Sequence, residues 1–134
     1  MKVLMIEPQK EPYETEIGNS LKDMQKVVNG YIQAIYPYSE PVALICNEEA
    51  KLNGLPLNRA LYDENGEMYD IVSGTFFICG VGEENFTSIA PDDLEKFKEE
   101  FQSPEIFQHI NEKICAVKID SLNEQKEEID IDER

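Results

Sequence analysis

Short apolar runs separated by turn residues constrain the fold of this chain more than any other feature of its sequence. Residues 42–46 (VALIC) are continuously apolar, which is typical of a strand buried on both faces of a sheet. Segments rich in aromatic and β-branched residues also predict strands at residues 2–7, 31–36, 69–81 and 113–119. Residues 13–17 are a candidate for a further short extended segment.

Residues 69–81 (YDIVSGTFFICGV) form the longest of these runs, and we interpret them as one strand. Gly74 lies in the middle of the run, where a glycine indicates a β-bulge or the close approach of another backbone. Thr75 follows it and is a candidate to line a pocket from the strand side, although a bulge explains the pair equally well.

Helical periodicity appears first in Leu21–Val28, where apolar residues recur at spacings of three and four. Ser20 is suited to cap the start of this helix, and Asn29-Gly30 is suited to end it, since glycine is common just past a helix end. A second helix is predicted from residue 91, because a proline followed by two aspartates favours a helix start and an apolar stripe follows. The Ser-Pro-Glu sequence at residues 103–105 predicts a short third helix.

This order of elements predicts an α+β fold. We expect a mixed or antiparallel sheet of about five strands, with two to three helices packed mainly on one face. Residues 1–119 form one predicted globular domain. Residues 120–134 carry seven acids and two bases, and they predict a disordered acidic tail.

The net charge of -16 and the pI near 4.3 exclude several classes of partner. Such a surface repels nucleic acid and anionic membranes, because binding to phosphate depends on Lys and Arg. It suits a cationic partner, imitation of DNA towards a DNA-binding protein, or simply an acidic soluble protein. The sequence shows neither a signal peptide nor a run of roughly 20 apolar residues, so we expect a cytoplasmic protein.

Cysteine and histidine usage argues against a metal or disulfide framework. The three cysteines are far apart and each lies in an apolar run, and His109 is the only histidine. Metal sites and general-base catalysis usually recruit histidine, so we expect no cofactor and no enzymatic activity.

Residues 47–59 (NEEAKLNGLPLNR) form the densest polar segment of the chain. Arg59 is the only arginine before the last residue, and a guanidinium is well shaped to bind a carboxylate or phosphate. We therefore predict a ligand site at this segment, with Thr75 contributing from the neighbouring strand. Its candidate residues in this segment are Asn47, Glu48, Glu49, Lys51, Asn58 and Arg59.

Structural alternatives exist for the same side chains. Glu48 and Glu49 are adjacent and could belong to a solvated turn, since neighbouring side chains of an extended chain point in opposite directions. Arg59 could form a structural ion pair with Glu48 or Glu49 instead of binding an anion.

Four blocks in order resemble the uncharacterised family catalogued as domain of unknown function 3846. They are MKVLMIEPQKEPYE, GYIQAIYPY, VALICNEEAKLNGLPLNRAL and DIVSGTFFICG, and the resemblance covers residues 1–100. It implies an accessory protein of phages, plasmids or conjugative elements, and it points to the polar block at residues 47–59. It implies no reaction.

Three classes of function follow from these observations. The first is a non-enzymatic binding module that sequesters a small polar or nucleotide-type ligand, or binds a host defence protein. The second is an acidic DNA mimic that inhibits a DNA-binding or restriction enzyme. The third is a small enzyme of unknown reaction. The sequence leaves the oligomeric state open.

Overall fold

Six strands of the described residues, 1–119, form one antiparallel sheet in this computed structural model. The helices are α1 (Leu21–Val28) and α2 (Pro91–Glu100). The strands are β1 (Lys2–Ile6), β2 (Tyr13–Glu16), β3 (Ile32–Ile35), β4 (Val42–Asn47), β5 (Leu57–Tyr62), β6 (Met68–Ser73), β7 (Phe76–Val81), β8 (Phe86–Thr87), β9 (Glu105–Ile110) and β10 (Lys113–Lys118). The main sheet has the order β2-β1-β7-β4-β3, with β8 paired to β7. The predicted acidic tail lies outside the described residues.

The three central strands are buried on both sides, as their apolar runs predict. In β4, Leu44 packs in a cluster on one face of the sheet, whereas Ala43 and Ile45 pack in a second cluster on the other face. β1 and β7 alternate in the same way, because successive side chains of a strand point to opposite faces. The α+β class and the antiparallel sheet are therefore confirmed.

The two helices cover opposite faces of this sheet. Met24 and Val28 of α1 pack in the cluster of Ala43 and Ile45. Phe97 of α2 packs in the cluster of Leu44, together with apolar side chains of the β5–β6 hairpin. The expectation that the helices lie mainly on one face is therefore not confirmed. The sequence shows which side of each helix is apolar, but the sheet has two apolar faces that can receive it.

The predicted start and end of α1 are confirmed in detail. The Ser20 hydroxyl accepts a hydrogen bond from the Asp23 N–H at 3.1 Å, which satisfies one of the free donors of the first turn. At the other end the helix stops at Asn29-Gly30 as predicted, but Asn29 rather than Gly30 adopts the left-handed conformation, with φ of 61°. None of the helices within residues 1–119 is long and apolar enough to cross a membrane.

The predicted third helix is wrong, because residues 105–110 form β9 and pair with β10. Asn111 and Glu112 connect the two strands, and both have positive φ, of 51° and 67°. Two consecutive residues with positive φ form the turn whose twist matches an antiparallel hairpin. The pairing with β10 thus overrides the helix-start signal of Ser103 and Pro104.

The predicted long strand at residues 69–81 is also wrong, because it is two strands that belong to different sheets. β6 pairs with β5, whereas β7 pairs with β1 and β4. Gly74 separates them with φ of 75°, and its N–H donates to the carbonyl of Pro56 at 2.7 Å. The glycine therefore marks a passage between two sheets, since this backbone conformation is costly for other residues.

The passage at Gly74 makes a prediction that has a matched control. In Gly74→Ala the added Cβ would lie 2.9 Å from Leu55 Cδ1, and the positive φ would be strained. Gly66 has nearly the same φ of 78°, but a Cβ there meets nothing within 4 Å. Both variants should lose about 1–2 kcal/mol of stability from backbone strain, and Gly74→Ala should lose about 1–3 kcal/mol more from overpacking. Urea denaturation of both variants measures the difference, and equal losses would show that Leu55 gives way freely.

Candidate functional site

Arg59 is fully buried, with 0% of its surface exposed, and it binds the protein's own backbone. Its Nη2 donates to the carbonyl oxygens of Lys10 at 2.6 Å and Phe101 at 3.1 Å. Its Nε donates to Phe101 at 3.3 Å, and its Nη1 donates to Asn58 Oδ1 at 2.9 Å. The guanidinium therefore joins β5 to the segment after β1 and to the end of α2.

Asn58 extends this buried network. Its Nδ2 donates to the carbonyl oxygens of Ile6 at 3.0 Å and Gly74 at 2.8 Å, and its Oδ1 accepts from Arg59. Neither side chain reaches solvent. The prediction that Asn58 and Arg59 bind a ligand is therefore corrected: both are structural, because the chain's own carbonyl groups already occupy their donors.

Glu105 is the carboxylate nearest to Arg59, rather than Glu48 or Glu49. The distance from Arg59 Nε to Glu105 Oε2 is 4.0 Å, and Glu105 Oε1 accepts a hydrogen bond from the Ala60 N–H. Burial raises the pKa of Glu105, although the hydrogen bond from Ala60 and the charge of Arg59 act in the opposite direction. Burial likewise lowers the pKa of Arg59.

Replacing Arg59 should therefore destabilise the fold. Arg59→Met would leave the carbonyls of Phe101 and Lys10 without the donor groups of Arg59 and would remove its charge from beside Glu105, which costs about 3–5 kcal/mol. Lys51→Met is the control, because Lys51 forms an exposed ion pair with Asp70 that is worth about 0–1 kcal/mol. Chemical denaturation measures both values. A small loss for Arg59→Met would contradict the structural assignment.

Glu105→Gln should show a characteristic dependence on pH. Because its pKa is raised by folding, Glu105 binds a proton in the folded protein at a pH where the unfolded chain has lost it. The wild type therefore loses stability from this group as the pH rises from about its ordinary value of 4.5 through the raised value. Gln keeps an acceptor for Ala60 but does not titrate. The stability of the variant relative to wild type should thus increase over this range, and a decrease would mean that attraction by Arg59 outweighs burial.

Asn47 holds the polar segment in place. Its Nδ2 donates to the carbonyl oxygens of Val28 at 3.0 Å and Asn29 at 3.1 Å, and its Oδ1 accepts from the Glu49 N–H at 2.8 Å. It therefore satisfies the end of α1 and forms the turn after β4. A Cβ on Gly30 would lie 2.6 Å from Asn47 Nδ2, so glycine is needed there for this contact. Asn47 thus has a positioning role, and it also lies on the wall of the cavity described next.

Glu48, Glu49 and Lys51 line a cavity of about 160 Å³, which we call the β3–β6 cavity. Gln33 and Ile35 of β3 and residues 70–73 of β6 complete its wall with Cys46, Asn47, Ala50 and Leu52. The structure therefore brings four of the predicted site residues, the three above and Asn47, together with part of the segment that was expected to face them. Thr75, Asn58 and Arg59 do not line this cavity.

The charges around the β3–β6 cavity favour a cation. The carboxylates of Glu48, Glu49 and Asp70 and the ammonium of Lys51 sum to a formal charge of -2, from three negative groups and one positive group. Lys51 Nζ and Asp70 Oδ1 lie 2.8 Å apart, so the one positive group is already paired. An anion would meet the unpaired carboxylates of Glu48 and Glu49.

Ser73 presents a polar atom that the fold leaves unsatisfied. It lines the β3–β6 cavity with 3% of its surface exposed, and its Oγ is the single buried side-chain N or O atom in residues 1–119 that has no hydrogen-bond partner. Buried hydroxyl groups are nearly always hydrogen-bonded, because an unmade bond costs about 1–3 kcal/mol. The Oγ atom is itself buried, so the Ser73 side chain would rotate in order to donate to or accept from a group that enters the cavity.

Cys46 adds a neutral thiol to the same wall. Its Sγ lies 3.7 Å from the carbonyl oxygen of Gln33, and burial raises its pKa to about 11. Asp70 raises this pKa further, whereas Lys51 lowers it. The thiol is thus protonated at neutral pH, which makes it a weak hydrogen-bond donor rather than a nucleophile.

Sequence reasoning missed Asp70, Ser73 and Gln33 as members of the site. Each lies in a segment that reads as an ordinary strand, and nothing local to the strand indicates which loop faces it. One signal in the sequence could have indicated Ser73: it is a polar residue inside residues 69–81, the longest apolar run of the chain.

Comparison with known proteins gives a family but no activity. The family model described as "Domain of unknown function (DUF3846)" matches residues 1–102. Neither the curated proteins nor the solved structures contain a match to the chain.

Proposed function

Because the chain belongs to the DUF3846 family, whose description states no activity, we propose its function from the site: it is a non-enzymatic binding protein whose β3–β6 cavity accepts a small cationic group. The resemblance to accessory proteins of mobile elements suggests that this group belongs to a host molecule. In that setting the protein would act by capturing its target in the cytoplasm, including a target that belongs to host defence.

The observation that carries the proposal is the unsatisfied hydroxyl of Ser73. A buried polar atom without a partner costs stability unless a bound group satisfies it. Ser73 lies on the wall of a cavity that is also lined by Cys46 and Asp70. The Cys46 thiol donates a weak hydrogen bond to the Gln33 carbonyl, and Asp70 supplies a carboxylate. A ligand with N–H donors could bond to the hydroxyl and to carboxylates at once.

Charge and size narrow the class of ligand. The formal charge of -2 on the wall favours an ammonium or guanidinium group over a phosphate. The volume of about 160 Å³ is below the roughly 300–1,000 Å³ of pockets that enclose drug-sized molecules. We therefore replace the nucleotide-type ligand expected from Arg59 with a cationic group of a few heavy atoms, attached to a larger target that remains outside.

The thiol chemistry of the wall supports a binding role rather than catalysis. Cys46 contributes a thiol to the cavity wall, and burial keeps this thiol protonated. His109 lies on β9 and does not line the cavity, so it is not placed to activate Cys46 or Ser73.

Titration with methylguanidinium tests the proposal. We expect saturable shifts of the backbone amide signals of Ser73 and Asp70 in the NMR spectrum, and no saturable shift with phosphate at the same ionic strength. Glu48→Gln combined with Glu49→Gln should weaken binding on the order of tenfold, because it cancels the formal charge of the wall. Ser73→Ala should weaken binding about fivefold, the equivalent of one neutral hydrogen bond.

The matched control is Glu64→Gln combined with Glu67→Gln. These residues are exposed near the turn between β5 and β6 and do not line the cavity, so the net charge of the protein changes by the same amount. We expect binding by this variant to equal that of wild type. Equal losses in both double variants would instead mean that only the overall charge matters, which favours the alternative proposal of an acidic DNA mimic.

A further inference from the structure

The two edges of the main sheet differ in charge. β2 forms one edge and carries Glu14 and Glu16, with Glu14 paired to Lys2 at 2.9 Å. β3 forms the other edge, and residues 29–39 around it (NGYIQAIYPYS) contain no charged side chain, although 30% of the chain is charged. Proteins usually protect an edge strand with charges, because its free N–H and C=O groups pair readily with another chain. Only one edge of this sheet has that protection.

The backbone groups that face the open edge can be identified from the register. The Glu48 N–H donates to the carbonyl of Tyr31 at 2.8 Å, and Ile32 is opposite Asn47. In an antiparallel pair every second residue bonds to its neighbour, so Gln33 and Ile35 bond to β4. The N–H and C=O groups of Ile32 and Ala34 therefore point away from the sheet.

Cavities flank β3 on both faces of the sheet. Gln33 and Ile35 line the β3–β6 cavity. Ile32 and Tyr36 line a second cavity of about 510 Å³, which we call the β3–α1 cavity because Leu21 and Met24 also line it. Alternate residues of a strand point to opposite faces, so the two cavities lie on opposite sides of the same edge.

We propose that β3 accepts an extended basic segment of a partner protein as an added strand, with alternate side chains of that segment entering the β3–β6 and β3–α1 cavities. The main-chain bonds to Ile32 and Ala34 would provide affinity, and the two cavities would provide specificity. This inference rests on the proposed function, since it identifies the cationic group in the β3–β6 cavity as a lysine or arginine side chain.

Charge decides between a foreign partner and a second copy of this chain. Glu83 and Glu84 line the β3–α1 cavity and no basic side chain does, so both cavities carry a formal charge of -2. A second copy would bring a net charge of -16 to the same edge. A basic segment would instead be attracted, and its lysine or arginine stems could lie on the exposed tyrosine rings at either end of β3.

The spacing of basic residues in the partner follows from the strand geometry. Adjacent residues of an added strand face opposite cavities, whereas residues two apart face the same one. Adjacent lysines should therefore occupy both cavities, and lysines separated by one residue should occupy only one of them.

Hydrogen exchange of the wild-type protein tests the proposal without a variant. The probe is a capped peptide of about nine residues, in which threonine and valine surround two adjacent lysines. In the free protein the amides of Ile32 and Ala34 should exchange fast, whereas those of Gln33 and Ile35 should exchange slowly. Peptide at saturation should slow Ile32 and Ala34 at least tenfold. Absence of this protection would overturn the proposal.

A matched pair of proline variants tests the same edge by fluorescence anisotropy. Ala34→Pro removes one outward N–H of β3 and no bond to β4. Glu16→Pro does the same on β2, because Met1 and Ile17 exchange both bonds and the Glu16 N–H therefore points outward. Peptide affinity should fall at least tenfold in Ala34→Pro and stay unchanged in Glu16→Pro. Equal affinities in the two variants would overturn the proposal.

Two further probes separate the remaining outcomes. A peptide with lysines two apart should bind more weakly than the adjacent-lysine peptide, and one with glutamates should not bind. Concentration-dependent dimers of the free protein that disappear in Ala34→Pro would overturn the proposal and assign the edge to a second copy. Methylguanidinium binding without protection of Ile32 and Ala34 would contradict this inference alone, whereas protection without methylguanidinium binding would contradict the proposed function.

Discussion

The buried guanidinium of Arg59 is the interaction on which the arrangement of the other elements depends. It donates to carbonyl groups of the segment after β1 and of the end of α2, and through Asn58 it reaches the end of β1 and the passage at Gly74. These groups come from three separate stretches of chain, which are residues 6–10, Gly74 and Phe101. A charged side chain is costly to bury unless its hydrogen bonds are made, so the β5–β6 hairpin has one favourable position against the sheet. That position brings β6 against β4, and β6 forms one wall of the β3–β6 cavity.

The sequence predicted the parts of the fold that depend on local pattern. The apolar runs identified the central strands, and Ser20 and the Asn29-Gly30 pair marked the two ends of α1, because these signals act within a few residues. Prediction from the sequence failed where contacts between segments far apart in the chain determine the secondary structure. The run through Gly74 has the composition of one strand, but each half finds a different partner strand. The segment at residues 105–110 begins like a helix, but its pairing with β10 and the turn at Asn111 and Glu112 prevail.

The same distinction applies to the candidate site. Glu48, Glu49 and Lys51 were predicted as site residues because they are close in sequence, and they do lie together. Arg59 was misassigned because a sequence shows that a guanidinium is present but not which carbonyl groups surround it. Asp70 and Ser73 reach the cavity through the packing of a hairpin on a sheet, which no local pattern encodes. The electrostatic character of the site follows from this contact, since it adds the carboxylate of Asp70 and pairs the ammonium of Lys51.

The central position of β7 has a consequence for how the protein is made. β7 lies between β1 and β4, yet it follows both of them in the chain. On the ribosome, β1 and β4 therefore emerge before the strand that unites them. About 75 residues separate β1 from the end of β7, and at about 5–20 residues per second their synthesis takes roughly 4–15 s. During this time the nascent chain exposes its most apolar segments, so the yield of folded protein should depend on translation speed and on chaperones that hold the unfinished sheet.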